Sequence, residues 1–193
     1  KRLPHAEGNF PTPSGKCEFV SSRAEAGNLV LPRLRQGYED NQPKGVIDPL
    51  PNYVPANQGN SQFPLTLISP KSHAFLNSSY GNLEVQKKAM GDPVVLIHPE
   101  DAKCRNIIAG DSVCVFNDLA AIEVAARITE DTMQGVVVVP LGHWRKSPGV
   151  VIGVNALNPA ALTDIGQGPA LTDTRVEVKG TNNSVDAMSR AAE

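Results

Sequence analysis

The chain has 193 residues, with 18 Lys+Arg against 20 Asp+Glu and a net charge of −2. That balance argues against the basic face of a nucleic-acid-binding or membrane-surface protein. Val, Leu, Ile and Phe make up about a quarter of the residues, enough for a real core, so wholesale disorder is excluded. Gly and Pro contribute 16 residues each, which favours many short elements joined by turns, and no apolar run approaches the ~20 residues that span a bilayer.

Residues 1–60 read as an extended arm. Pro11, Pro13, Pro32, Pro43, Pro49, Pro51 and Pro55 punctuate them, and no helical period of apolar residues is visible. One strand is expected over Lys16–Ser21 (KCEFVS), entered through the Pro13-Ser14-Gly15-Lys16 turn. No signal peptide is read at the start, because Lys1–His5 has no apolar run behind it. The first residue is not Met, so the chain is expected to be cut from something longer.

From Gln62 the pattern tightens. Leu65 and Leu67 alternate with polar neighbours, and a short helix is expected from Tyr80 to Met90, ended by Gly91. Val94–Ile97 and Val136–Val139 are unbroken apolar runs, suited to strands buried on both faces. Between them, His98 reads as a capping or packing residue, and Pro99 opens a helix with Glu100 and Asp101 over its positive end. That helix is expected to stop before the Ala109-Gly110-Asp111 turn. Val113 and Val115, then Ile122, Val124, Ala126 and Ile128, alternate with polar or small residues across Asn117-Asp118, the pattern of a half-buried antiparallel hairpin. Leu141–Thr172 reads as a long loop. Val176 and Val178 mark a last strand, with Arg175, Glu177 and Lys179 outward. Six short strands and one or two short helices in about 120 residues predict a mainly β protein, most economically a small closed barrel that leaves no free edge. An open sandwich is the alternative.

Three polar loop segments are candidates for chemistry. Ser69–Tyr80 carries a cation, hydroxyls and an amide suited to an anionic or hydrogen-bonding ligand. From composition alone, a Ser/Asn capping turn with solvated Lys71 and His73 is the simpler reading. Gly142–Lys146 holds the single Trp, which can stack on a flat ligand or simply close a barrel end. Asn155–Pro159 with Thr163–Pro169 forms a Gly/Asn-rich loop. Cys17, Cys104 and Cys114 have no CxxC spacing, and His5, His73, His98 and His143 lie without metal-ligand spacing, so no metal site is indicated. GxGxxG, GxxxxGK[ST] and HExxH are absent from the sequence.

The order of short motifs resembles one family. Phe10–Phe19 (FPTPSGKCEF) is similar to the FPTPSGKxEF segment of molybdopterin oxidoreductases of the dimethyl sulfoxide reductase superfamily. Ile97–Ala102 (IHPEDA) and Ala109–Val115 (AGDSVCV) resemble the core of their C-terminal molybdopterin dinucleotide-binding domain. Gly135-Val136-Val137, His143-Trp144 and Asn155-Ala156-Leu157 fall where that domain has GVVxxPxHW and NxLT. The match runs in the correct order over about residues 9 to 179.

The resemblance implies a double-psi β-barrel over 61–180, an arm from a preceding domain over 1–60 and a tail over 181–193. It also implies molybdopterin guanine dinucleotide, carrying Mo or W, as the cofactor of the parent enzyme. The metal ligand and any iron–sulfur cysteines would lie in earlier domains. Those domains are the expected partners, with no nucleic acid and no membrane, and the fragment by itself is not expected to be catalytic or necessarily to hold the cofactor. Ser69, Lys71, Ser72, His73, Asn77 and Ser78 align with the segment that contacts the dinucleotide. His143 and Trp144 align near the pterin, Asn155 with an amide for pterin edge atoms, and Asp173 with a position able to orient a ring N–H. Many relatives carry Thr-x-Arg where this chain has Ser69-Pro70-Lys71, and a lysine supplies charge without the two-pronged fork of arginine. Two other readings were open. A pyruvoyl decarboxylase on the same fold needs a Gly-Ser bond, and none of the 16 glycines is followed by Ser. A free-standing barrel that serves as an interaction module needs no ligand loop.

Overall fold

In the computed structural model, residues 3–26, 48–50, 52–53, 59–74, 76–77, 79–143, 152–159 and 168–181 are described. The period-two segments become six strands: β1 (Leu65–Ile68), β2 (Val94–Ile97), β3 (Ser112–Phe116), β4 (Ala121–Ile128), β5 (Val136–Val138) and β6 (Arg175–Gly180). They close on themselves in the order β1-β5-β2-β4-β3-β6. The β1/β5 and β2/β4 pairs are parallel and the other four antiparallel. This closed mixed barrel is the double-psi type expected from the sequence, and its closure leaves no strand edge unpaired.

A barrel has one interior, so the strands bury alternate side chains, except that β3 buries Val113, Cys114 and Val115 in a row. Leu65, Leu67, Val95, Ile97, Val115 and Val178 point inward and are at most 2 % exposed. Burial of each contributes about 1.5–3 kcal/mol. The β3/β4 hairpin keeps its expected phase, with Val113 opposite Val124 and Val115 opposite Ile122. The expectation for β2 and β5 was wrong in one respect. They are not buried on both faces: Val94, Leu96, Val136 and Val138 alternate outward and are only half covered. A single-layer wall has core on one side only.

Two helices flank the barrel, α2 (Glu84–Met90) and α3 (Pro99–Lys103). The first starts at Glu84 rather than Tyr80, since Tyr80 has φ +64°, outside the helical region. Gly91, at φ +71°, ends it as expected. The second has Pro99 in its first turn and His98 as its cap, Nδ1 accepting from the Glu100 N–H at 3.2 Å. Asp101 is buried and accepts the Gly135 N–H at 2.7 Å, fixing the turn before β5. Arg105 then grips Glu177 of β6 through Nε–Oε1 at 2.6 Å and Nη2–Oε2 at 3.3 Å. Among the described residues no helix is long and apolar enough to cross a membrane.

The chain divides into two compact units, Lys1–Pro55 with Ala160–Pro169, and Ala56–Pro159 with Ala170–Glu193. The barrel belongs to the second. In the first, α1 (Ser22–Glu25) is capped by Ser21, whose side chain accepts from the Ala24 N–H at 3.2 Å. The strand expected over Lys16–Ser21 is not formed. Around Thr12–Glu18 the hydrogen bonds close locally instead, Gly15 N–H to Thr12 O at 3.0 Å, Thr12 Oγ1 to Lys16 O at 2.7 Å and Ser14 N–H to Glu18 Oε1 at 3.0 Å, while Ser21 N–H donates to Pro49 O at 2.8 Å. A strand needs a partner ladder, and among the described residues this stretch pairs with no strand of its own unit.

Candidate functional site

The parallel pairing of β1 and β5 decides where the polar loops go. Both strands end at the same rim, so the segments that follow them leave side by side. The pairing continues past the strands: Val139 N–H donates to Ile68 O at 3.0 Å, Leu141 N–H donates to Pro70 O at 2.8 Å, and Lys71 bridges to Leu141. Lys71–Ala74 and Gly142–His143 are thereby brought together although about 70 residues separate them.

Beneath these loops lies a cleft of about 310 Å³ on the outer wall of the barrel. Its floor is the outward face of three adjacent strands, where Leu96 of β2 sits between Val138 of β5 and Arg127 of β4. Pro70, Lys71, Ser72, His73 and Ala74 line one side, and Ala89 and Met90 at the end of α2, with Asp92 beyond it, line another. His143 and Pro140 complete the wall. The lining is thus an apolar floor with two cations, one carboxylate, a hydroxyl and two imidazoles around it. Lys71 and Arg127 are exposed, so their charges remain hydrated and available.

Burial pushes the His143 imidazole below its ordinary value, and the nearby Asp92 carboxylate partly opposes this. The ring is neutral at pH 7 and offers one donor and one acceptor. Ser72 Oγ accepts the Ala74 N–H at 3.0 Å, which fixes the loop and leaves its own proton free to donate. Asn77, held at φ +50°, meets Lys71, Ser72, Leu141 and Gly142 around a smaller hollow of about 20 Å³.

Of the ten candidate residues, Lys71, Ser72, His73 and His143 share the cleft, and Asn77 lines the adjoining hollow. Ser78 and Trp144 lie outside the described residues. Ser69 is half-buried at the end of β1 and does not line the cleft. Asn155 is exposed on a 3-10 turn, Val154–Leu157, where its carbonyl accepts from the Asn158 N–H at 3.2 Å. It stands two residues beyond Gly153, which with Ile152 and Val154 packs beside His143 around a void of about 30 Å³. Asp173 is half-buried, its N–H donating to Ala170 O at 3.2 Å, and it too lies off the cleft lining.

Sequence reading missed Arg127, Asp92 and the apolar floor. The floor had a signal: Val94–Ile97 is apolar on both phases, and in a barrel the second phase must face something other than the core. Arg127 had none beyond being an outward residue of a period-two strand. Among the described residues no group of three or more His, Cys, Asp or Glu stands close enough to hold a metal ion.

The class this structure defines is a closed mixed β-barrel of the double-psi type, with a polar-rimmed cleft where two parallel strands end. Residues 65–175 match the model of the family described as the Molydopterin dinucleotide binding domain. The chain belongs to that family, within the superfamily of molybdopterin oxidoreductases related to dimethyl sulfoxide reductase. It is 31 % identical over 179 residues to the probable oxidoreductase YoaE of Bacillus subtilis, covering 93 % of this chain and 23 % of that protein. It is 37 % identical over 138 residues to the dimethyl sulfoxide reductase DmsA of Escherichia coli, covering 69 % of this chain and 16 % of DmsA. Among solved structures, the acetylene hydratase of Pelobacter acetylenicus shares the fold at a TM-score of 0.65 and 22 % identity, over 90 % of this chain and 25 % of the hydratase. The chain therefore spans about a quarter or less of the length of these relatives.

Proposed function

We propose that this chain is the C-terminal, cofactor-holding domain of a molybdenum or tungsten oxidoreductase, and that its cleft receives part of a molybdopterin guanine dinucleotide. The single observation that carries the reading is the meeting of Lys71, Ser72, His73 and His143 over an apolar floor. The donor set fits the group. A pyrophosphate needs cations and hydroxyl or amide donors, which Lys71, Arg127, Ser72 and Asn77 supply. A flat heteroaromatic ring needs an apolar surface, which Leu96, Val94 and Val138 supply. The cleft volume of about 310 Å³ is at the small end of the ~300–1,000 Å³ usual for ligand sites, consistent with a domain that encloses one side of a large cofactor.

When bound, the cofactor supplies the redox chemistry of its metal, and the protein supplies position and electrostatics. Lys71 and Arg127 neutralise phosphate charge from the rim. Neutral His143 and the Ser72 hydroxyl orient polar edges without adding charge. Asp92 sets a negative boundary that discourages phosphate from sliding towards the start of β2. In this reading residues 61–180 form the cofactor-binding barrel, residues 1–60 come from the preceding domain, and those earlier domains are the partners that complete the site. Ser69, Ser78, Trp144, Asn155 and Asp173 belong to the proposal through the family resemblance of their motifs alone.

The test uses the full-length parent enzyme. Lys71→Ala with His73→Ala is expected to lower cofactor occupancy about tenfold, from the loss of charge-assisted and neutral hydrogen bonds. Molybdenum or tungsten content and the guanine nucleotide released on denaturation measure it. Unchanged content of both would reject the reading.

A further inference from the structure

His143 belongs to two linings at once. It walls the cleft, and with Glu123 and Gly153 it also lines the void of about 30 Å³. Its ring is half-buried, whereas His73, the other imidazole of the cleft, is exposed. Water screens a charge on an exposed ring, and a partly buried one feels its neighbours more strongly. Among the described residues, the charged or titratable groups that share these linings with His143 come from three places. Lys71 and His73 stand in the loop after β1, Asp92 before β2, and Arg127 and Glu123 on β4. Two cations and two carboxylates nearly cancel. Burial is then the main force that keeps a proton off the His143 ring, with Asp92 partly opposing it. A dianion held by Lys71 and Arg127 upsets that balance. It brings two negative charges into the lining that His143 shares, and imidazolium becomes the favoured form.

We propose that the cleft takes up a proton together with a pyrophosphate, that His143 receives it, and that the ligand is therefore held more tightly below neutral pH. Linkage makes the two halves one statement. If the dianion raises the ring's affinity for a proton, the proton raises the cleft's affinity for the dianion by the same factor. An imidazole suits this role because its charge changes between about pH 5 and 8. The inference rests on the cofactor-binding reading of the cleft, and its test separates the two.

The wild-type chain, His143→Gln, His73→Gln and Lys71→Ala are each titrated calorimetrically with GDP-mannose at about pH 7.5 and about pH 5.5, on either side of an ordinary imidazole. The pyrophosphate diester of this probe keeps both its negative charges over that range, so a change in affinity belongs to the protein. Wild type is expected to bind about fivefold more tightly at the lower pH, the ratio given by a rise of about one unit in the ring's proton affinity. His143→Gln has no group to titrate there, and its two affinities are expected to agree within about twofold, whatever their level. His73→Gln is expected to keep the wild-type ratio, because water screens its exposed ring. Lys71→Ala is expected to weaken binding at both pH values. A second measurement needs no variant: wild-type titrations near pH 6.5, in buffers of different ionisation enthalpy, should show net proton uptake on binding. Absence of that uptake would overturn the proposal even if His143→Gln failed to fold. Lys71-dependent binding that is equal at the two pH values, or a ratio lost in His73→Gln and kept in His143→Gln, would overturn the role of His143 and leave the cleft standing. Failure of the folded wild-type chain to bind GDP-mannose at either pH would overturn both.

Discussion

Asn117 illustrates what a single polar residue does inside this barrel. Its Nδ2 donates to Leu157 O at 2.8 Å and to Arg175 O at 3.2 Å, while Oδ1 accepts from the N–H groups of Leu119 and Ala120. One buried amide thus ties the hairpin turn to β6 and to the 3-10 turn that follows the loops. From the sequence it was legible only as a turn residue, because its partners lie 40 and 58 positions away. Arg105 and Glu177, 72 residues apart, were hidden for the same reason. Local pattern reveals period and capping, and His98 and Pro99 were read correctly because their chemistry is local. Long-range polar pairs leave no such trace. His143 yields a pH dependence that can be checked. Its folded value is lowered from the ordinary 6.5 by burial, so below about pH 6.5 the unfolded chain binds a proton that the folded chain resists. Stability present above that pH is therefore lost as pH falls towards the depressed folded value. Thermal melts between pH 7.5 and 5 are expected to show a declining melting temperature that His143→Gln makes shallower. Identical slopes in the two proteins would contradict the assignment.

At the scale of elements, the strands were legible and their surroundings were not. All six barrel strands stand where alternation or an apolar run placed them, because period two follows from strand geometry alone. Burial on the second face of β2 and β5 does not follow from it. Their outward Val94, Leu96 and Val138 became the floor of the cleft, so an apolar surplus that looked like core faces the cleft instead. This difference has a mutational signature. Val137 is fully buried, whereas Val138 beside it is half-covered and outward. Val137→Ala is expected to cost about 2–3 kcal/mol and Val138→Ala under about 1 kcal/mol, since only the first leaves a cavity in a close-packed interior. Urea denaturation of both variants measures it. Equal costs would mean that β5 is buried on both sides after all.

The whole molecule depends on closure. Strand order was beyond the reach of periodicity, for nothing in Val136–Val138 announces that it lies parallel to β1; the family resemblance alone carried that expectation. Once closed, the sheet has no terminal strand to fray. Hydrogen exchange is therefore expected to show the central amides of β1 to β6 opening together, with protection close to the global unfolding free energy. A single strand exchanging well before the others would show that the ring is breached there. In this way the barrel gives the loop rim a stiff foundation, which a site that orients a large ligand requires.

The antiparallel contact between β1 and β6 has a consequence for biosynthesis. β1 leaves the ribosome roughly a hundred residues before the strand that seals it, which at about 5–20 residues per second leaves it waiting some 5–20 s. Until then its apolar edge is unguarded, so nascent chains of this domain should be clients of ribosome-associated chaperones, and premature termination before β6 should yield aggregates rather than a smaller folded protein.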